Sequence, residues 1–184
     1  EDETDEESSD EEGASGPTFE EEVSDIVKRG VEEGVNPDNM ALEVNGRKYA
    51  HNKTFAECAC EVLIAILHTM PEAPSRKAAF SQAVKLLKKW KPVLQKFART
   101  QDDQEDVVVA LESFVVEEEW RAHKLFQPIC KAMYDEDIVM EEAILSWAAK
   151  AAERGGQAQV LLKECQPLID YLQQAEEEDS DDDE

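Results

Sequence analysis

Basic residues are scarce in this chain, and their scarcity excludes more than any other feature. Its 184 residues hold 19 Lys and Arg against 44 Asp and Glu, a formal net charge of −25. Binding to phosphate backbones needs Lys and Arg, so direct contact with nucleic acid is not expected, nor is docking on an anionic membrane surface. No apolar run approaches the roughly 18 residues of a membrane-spanning helix. The opening EDETDEESSDEE has neither the basic nor the apolar region of a secretory signal. The four cysteines (58, 60, 130, 165) are too few for a disulfide framework, and their spacing fits no zinc site. A reduced, cytoplasmic setting is therefore expected, with no metal and no cofactor. With only seven glycines and no clean alternation of polar and apolar residues, strands are not expected.

The acidity is concentrated at the two ends. Residues 1–18 hold nine acids and no base, and residues 175–184 hold eight acids and no base. Such segments cannot bury enough apolar surface to order themselves. The expected organisation is an acidic disordered linker at 1–18, a helical domain at 19–176 and an acidic tail at 177–184. Either tail serves solubility or a lysine-rich partner. Ser8, Ser9 and Ser180 each have an acid three residues on, the context of acidophilic kinases. The middle is polarised too. Arg76 to Arg99 carries eight bases and no acid, and Asp102 to Glu119 carries eight acids and no base. These are solvated faces, or faces that pack against each other.

Between the tails, helical periodicity dominates. Thr18-x-x-Glu21 and Thr54-x-x-Glu57 have the capping-box pattern. Phe19, Val23, Ile26, Val27 and Val31 form a stripe that Gly34 ends. Asn36-Pro37 opens a short helix running to Gly46. Phe55, Cys58, Val62, Leu63, Ile66, Leu67 and Met70 share one face, and Pro71 stops that helix. Further helices are expected from Ser75 to Trp90, from Pro92, from a cap at Asp102 or Asp103, and at 119–134, 137–153, 157–164 and 166–176. That makes about eight to ten helices with short loops. The fold class is all-α: an α-solenoid of irregular HEAT-like antiparallel helix pairs, with a compact bundle as the alternative.

Catalytic signatures are missing: there is no G-x-x-x-x-G-K-[ST], G-x-G-x-x-G or G-x-S-x-G. The three histidines (51, 68, 123) are scattered, and Cys58 and Cys60 read as structural. Asn52-Lys53-Thr54 has the form of a glycosylation sequon, which chance explains without a secretory signal.

Three stretches are more specific. They are Asn39-Met-Ala-Leu-Glu-Val-Asn-Gly-Arg-Lys-Tyr-Ala-His-Asn52 with Thr54-Phe-Ala-Glu57, then Glu141-Glu-Ala-Ile-Leu-Ser-Trp147, then Leu168-Ile-Asp-Tyr-Leu-Gln-Gln-Ala-Glu-Glu-Glu178. Over about 19–184 the chain resembles the C-terminal catalytic HEAT domain of the epsilon subunit of the guanine-nucleotide exchange factor for eukaryotic translation initiation factor two. The last two stretches resemble that family's aromatic-acidic boxes. The C-terminal domain of the GTPase-activating factor five and a translation scaffold family share them. The residues after Trp147 depart from the pattern, with Ala148-Ala149 where relatives often carry an aromatic.

The resemblance implies a guanine-nucleotide exchange domain without covalent chemistry. Its target would be the gamma, GTPase subunit of initiation factor two, tethered through the lysine-rich N-terminal segment of the beta subunit. Other subunits of the exchange complex would be reached through domains outside this sequence. By the resemblance, Glu57 and Trp147 matter for exchange. Partner-binding residues are expected at Tyr134, Asp135, Glu136, Asp137, Glu141, Glu142, Tyr171, Glu176, Glu177 and Glu178, a mixture of aromatics and carboxylates suited to lysine. Each also has a plainer reading. Glu57 completes a capping box, Trp147 lies on one of two apolar stripes of its helix, and the carboxylates decorate solvated helix ends. The alternative function is a non-catalytic acidic HEAT binding module of the initiation machinery.

Overall fold

A computed structural model describes residues 16–181, with side chains to residue 174. Among the described residues there are nine helices and no strand: α1 (Phe19–Glu33), α2 (Pro37–Ala50), α3 (Phe55–His68), α4 (Arg76–Phe97), α5 (Gln101–Val115), α6 (Glu118–Arg121), α7 (Phe126–Asp135), α8 (Glu141–Arg154) and α9 (Gly156–Asp181). They form two layers. In one, α1, α3, α5 and α8 pack side by side in chain order; in the other, α2, α4, α7 and α9 do the same. Each helix of the first layer also packs on a partner in the second, which gives four pairs: α1/α2, α3/α4, α5/α7 and α8/α9. This is a short HEAT-like solenoid, as the helix spacing implied.

Side-chain contacts fix the direction of the helices. The start of α3 meets the end of α4, where the Phe55 and Phe97 rings lie 6.3 Å apart. The start of α5 meets the start of α8, where Gln104 Oε1 accepts from the Met140 amide at 2.8 Å. At the opposite edge, His68 near the end of α3 pairs with Glu117 just past the end of α5, at 2.9 Å. One edge of the solenoid therefore collects the N-termini of α3, α5 and α8 with the C-terminus of α4. Phe19, which opens α1, stands 5.5 Å from the Lys53 ammonium just ahead of α3, so α1 starts on this edge too.

Three of these helix starts carry the same chemistry. Thr18/Glu21, Thr54/Glu57 and Thr100/Asp103 are reciprocal capping boxes. In each, the threonine oxygen takes an amide of the first turn and the acid takes the amide of the cap residue. The third box corrects the expected cap at Asp102 or Asp103. Thr100 is the cap, and Asp103 is its partner.

Prolines and glycine mislead at other boundaries. Pro92 does not begin a new helix, because α4 runs through it, and Pro167 sits inside α9 in the same way. Both rings face solvent, while the buried stripes Leu87–Trp90–Val93–Leu94–Phe97 and Leu161–Cys165–Leu168–Leu172 continue beneath them. Burial of an uninterrupted stripe outweighs one lost backbone hydrogen bond. Gly46 lies within α2, which reaches Ala50. The helix expected over 119–134 is broken into α6 and α7 at Lys124, whose φ is 49°. Asp137, expected to begin a helix, has φ 54° and belongs to the turn before α8. At the C-terminus the helix passes the expected limit at 176 and reaches Asp181.

The charge blocks do not pack as complements of each other. The acids of α5 pair with α8 instead: Glu105 with Lys150 at 2.6 Å, and Glu112 with Arg154 at 2.9 Å. The bases of α4 meet the turn after α7, where Lys88 and Lys91 reach Glu136 at 3.5 and 3.9 Å.

Candidate functional site

Two surfaces on the capped edge hold most of the residues singled out in the sequence. The first is a groove of about 320 Å³ between α1, α3 and α5, lined in part by Glu20, Glu57, Glu61 and Asp106 over Ala56 and Cys60. Glu57 is held there by its own capping box. Its Oε2 accepts from the Thr54 amide at 2.8 Å, and its Oε1 accepts from Lys53 Nζ at 3.1 Å. The hydrogen bond from the Thr54 backbone keeps the carboxyl below its usual range, so it is ionised at neutral pH. Lys53 also reaches Glu20 at 3.7 Å. Among the described residues it is the one ammonium lining the groove, against four carboxylates.

Glu61 and Asp106 have no ion pair among the described residues. Burial, then the neighbouring Glu20, pushes the Glu61 carboxyl up, and burial, then Glu105, does the same to Asp106. The groove thus concentrates negative charge that its own residues neutralise only in part. Burial and then Asp106 push the Cys60 thiol up to about 12, so it stays protonated at neutral pH. Glu20, Glu61 and Asp106 were not singled out in the sequence. Each looks like an ordinary helix-surface acid; Glu61 was within reach of sequence reasoning, one turn beyond Glu57 on α3, while only helix packing brings Glu20 from α1 and Asp106 from α5.

The second surface joins the end of α7, the start of α8 and α9. Tyr134, Asp137, Val139, Met140, Glu141 and Glu142 line a shallow hollow of about 250 Å³. Met140 and Tyr171 are 62% and 52% exposed, so this acidic surface also presents apolar area. Lys131 lies 5.9 Å from the Tyr134 ring and 5.6 Å from the Tyr171 ring, and pairs with Asp135. The two tyrosines and Asp135 therefore already face one lysine of the chain itself. Asp135, Glu136 and Asp137 are partly engaged, the first by Lys131 and the other two by α4. Ser8 and Ser9 lie outside the described residues, as do the side chains of Ser180 and Glu176 to Glu178.

Trp147 belongs to neither surface. It is wholly buried, its ring 4.7 Å from that of Phe126, and its Nε1 donates to Glu112 Oε2 at 2.9 Å. Of the two apolar stripes that the sequence offers for this helix, the one with Trp147 faces the core. The stripe Ile144–Trp147–Ala151 is the core face of α8, and the exposed apolar side chain beside the two glutamates is Met140. His68 pairs with Glu117, and no group of three or more potential metal-binding side chains stands together among the described residues.

An all-α solenoid whose one edge gathers carboxylates around a groove and around two tyrosines, Tyr171 exposed and Tyr134 half-buried, has the make-up of a protein-interaction surface. The sequence comparison agrees: residues 103–182 match the W2 family, described as eIF4-gamma/eIF5/eIF2-epsilon. Over most of its length it is similar to one kind of W2 protein. It is 30% identical over 166 residues to translation initiation factor eIF2B subunit epsilon of Dictyostelium discoideum, and 26% identical over 162 residues to that of Schizosaccharomyces pombe. Each alignment covers 87% of this chain and 23% of the relative. The similarity to eukaryotic translation initiation factor 5 of Phaseolus vulgaris is 36% over 69 residues, covering 38% of this chain and 16% of the relative.

Proposed function

We propose that this chain is a guanine-nucleotide exchange domain that promotes GDP release from the gamma subunit of eukaryotic initiation factor two. The supporting observation is where the similarity extends. The epsilon relatives align over 87% of the chain, whereas the factor five relative aligns over 38%. The W2 match begins at residue 103, so Glu57 and most of its groove lie in the half that the longer alignments add.

Exchange of this kind makes and breaks no covalent bond. A protein that binds the nucleotide-free GTPase better than the GDP-bound one lowers GDP affinity by linkage, and by the same factor. The surfaces divide that work. Tyr134, Tyr171, Glu141, Glu142 and the acidic run Glu176 to Glu178 hold lysine blocks of the beta subunit and speed encounter by steering. Glu57, its carboxylate oriented by the cap, engages a cation of the gamma subunit near the nucleotide. Its remaining lone pairs, or displacement of Lys53, supply the coordination. Trp147 lies beneath α8 in ring contact with Phe126 of α7, and touches no partner.

The test is release of fluorescent GDP from purified initiation factor two with and without the chain, alongside pull-down by the beta subunit's lysine segment. Acceleration is expected. Binding without acceleration would move the assignment to a non-catalytic tethering module, the reading that the shared W2 match to factor five favours.

A further inference from the structure

The proposed function leaves the basic helix α4 unused. Toward its end, Lys88 and Lys91 are engaged by Glu136 and Asp137, in the turn after α7. Its start is different. Lys77 and Lys85 are exposed on the solvent side and make no ion pair among the described residues. Lys124, just ahead of α7, is exposed and unpaired in the same way. Arg76 donates from Nε to the His123 carbonyl at 3.0 Å and from Nη2 to the Lys124 carbonyl at 3.4 Å, so its charge meets no carboxylate either. Those bonds bring the start of α7 against the start of α4. Between the two starts is a hollow of about 480 Å³, lined by Arg76, Lys77, Phe80, Gln127 and Pro128. Phe80 and Pro128 are half-buried, which leaves apolar surface open at its floor. No carboxylate lines it, whereas four line the Glu57 groove and three line the hollow beside Tyr134. It is also remote from the capped edge. That edge holds the end of α4, a helix of 22 residues, so about 30 Å of helix lies between them.

We infer that this hollow is a docking site for an acidic segment of a partner protein, one in which carboxylates flank a large apolar side chain. The apolar side chain rests on Phe80 and Pro128, in a hollow of the size that ligand pockets commonly have. The Gln127 side-chain amide makes no hydrogen bond among the described residues and is available to the segment's backbone. Carboxylates on the segment meet Arg76 and Lys77 at the rim, with Lys85 along α4 and Lys124 ahead of α7 as further cations. Charge complementarity therefore sets the sign of the occupant, and the apolar floor sets its anchor. A nucleic acid carries the same sign, but four cations around one hollow give it a short track, and the chain as a whole, at −25, repels it. A short peptide carries fewer charges against that field and gains from burying its anchor. Docking here leaves the capped edge free, so the chain bridges an acidic partner at this site and a lysine-rich one at the other. That bridging rests on the proposed function, while the docking itself does not.

The experiment uses the full, isotope-labelled chain and the fluorescein-labelled peptide Asp-Glu-Asp-Leu-Phe-Glu-Asp-Glu. Fluorescence anisotropy at low salt gives the affinity, and amide shifts locate the site. Shifts are expected at Lys77, Phe80 and Gln127, and not at Glu57 or Glu141 on the capped edge. Lys77→Glu combined with Lys124→Glu should weaken binding about tenfold or more. Both side chains are exposed, so an unchanged thermal melt establishes that the variant is folded. A peptide with Ser-Ser in place of Leu-Phe should bind the unaltered chain about tenfold more weakly. That comparison needs no altered protein. Any of four results would overturn the inference. The first is the absence of shifts at these amides. The second is equal affinity for the doubly reversed variant. Equal affinity for the Ser-Ser peptide is the third, because it would leave only a diffuse attraction between charges. The fourth is tighter binding of a poly-uridine oligomer of the same charge, which would make the occupant a nucleic acid.

Discussion

Glu57 is a helix cap and, in the proposed function, a contact to the GTPase, and replacing it with Gln or with Ala pulls the two apart. Gln keeps an oxygen that can accept from the Thr54 amide, because a capping box accepts Glu or Gln at this place. Glu57→Gln therefore loses only the negative charge at the helix start, about 0.3–1 kcal/mol. Glu57→Ala loses the acceptor as well, for a total of about 1–2 kcal/mol, since the Thr54 amide is exposed and water replaces part of the bond. For a domain of this size each kcal/mol moves the Tm by about 2–4 °C. Both variants should therefore stay folded at assay temperature, with Ala melting below Gln. If the carboxylate meets a cation of the GTPase when GDP leaves, the lost charged hydrogen bond is worth about 1.5–3 kcal/mol, a fall of about 10- to 150-fold in exchange for both variants. Thermal melts and GDP release on the same samples decide the matter. A Glu57→Gln chain that exchanges at the wild-type rate would refute the reasoning, leaving Glu57 as a cap alone.

Further consequences follow from the same geometry. Trp147→Phe gives up the donation to Glu112 and part of a buried ring. It should cost roughly 1–3 kcal/mol in urea denaturation and leave affinity for a lysine-rich peptide unchanged; a folded variant with lost affinity would restore Trp147 to the interface. Burial, then Glu20, raises the folded pKa of Glu61, so the folded state takes up its proton more readily than the unfolded one. The charged carboxylate thus weakens the fold at neutral pH, and that penalty fades as pH falls through the raised folded value. Glu61→Gln should accordingly raise the Tm at pH 7, with the gain shrinking at about pH 4; a lower Tm at pH 7 would contradict the unpaired groove. Reversing Glu176, Glu177 and Glu178 to Lys should weaken capture of the beta-subunit lysine segment at low salt, and the difference should shrink at high salt. Equal capture at low salt would remove the acidic end from the tether.

How much could be read without a structure varied with the range of the interaction concerned. Helix starts at Thr18 and Thr54 were legible because a capping box is complete within four residues. The third, at Thr100, obeys the same rule and was obscured by the adjacent Asp102 and Asp103, which look like caps themselves. The all-α class followed from periodicity and the rarity of glycine. Boundaries at Pro92, Pro167 and Gly46 were misread because local breakers were given weight that a continuous buried stripe overrides. Such a stripe is visible in sequence only once its helix is assumed not to break.

Sequence alone determined the acidic balance, the helical class, two of the three caps and the family, since these depend on composition, short-range spacing and matched residues. Tertiary structure alone decided which apolar stripe of α8 faces inward, and so that Trp147 is core and Met140 is surface. It alone decided that the acids of α5 meet α8 rather than α4, which leaves α4 with lysines to spare. It also brought Glu20 of α1 and Asp106 of α5 to Glu57 and Glu61, which stand one turn apart on α3. The physical reason is common to all three. A helix exposes several equivalent faces, and only its neighbours determine which of them are buried, which are paired and which are left to meet a partner.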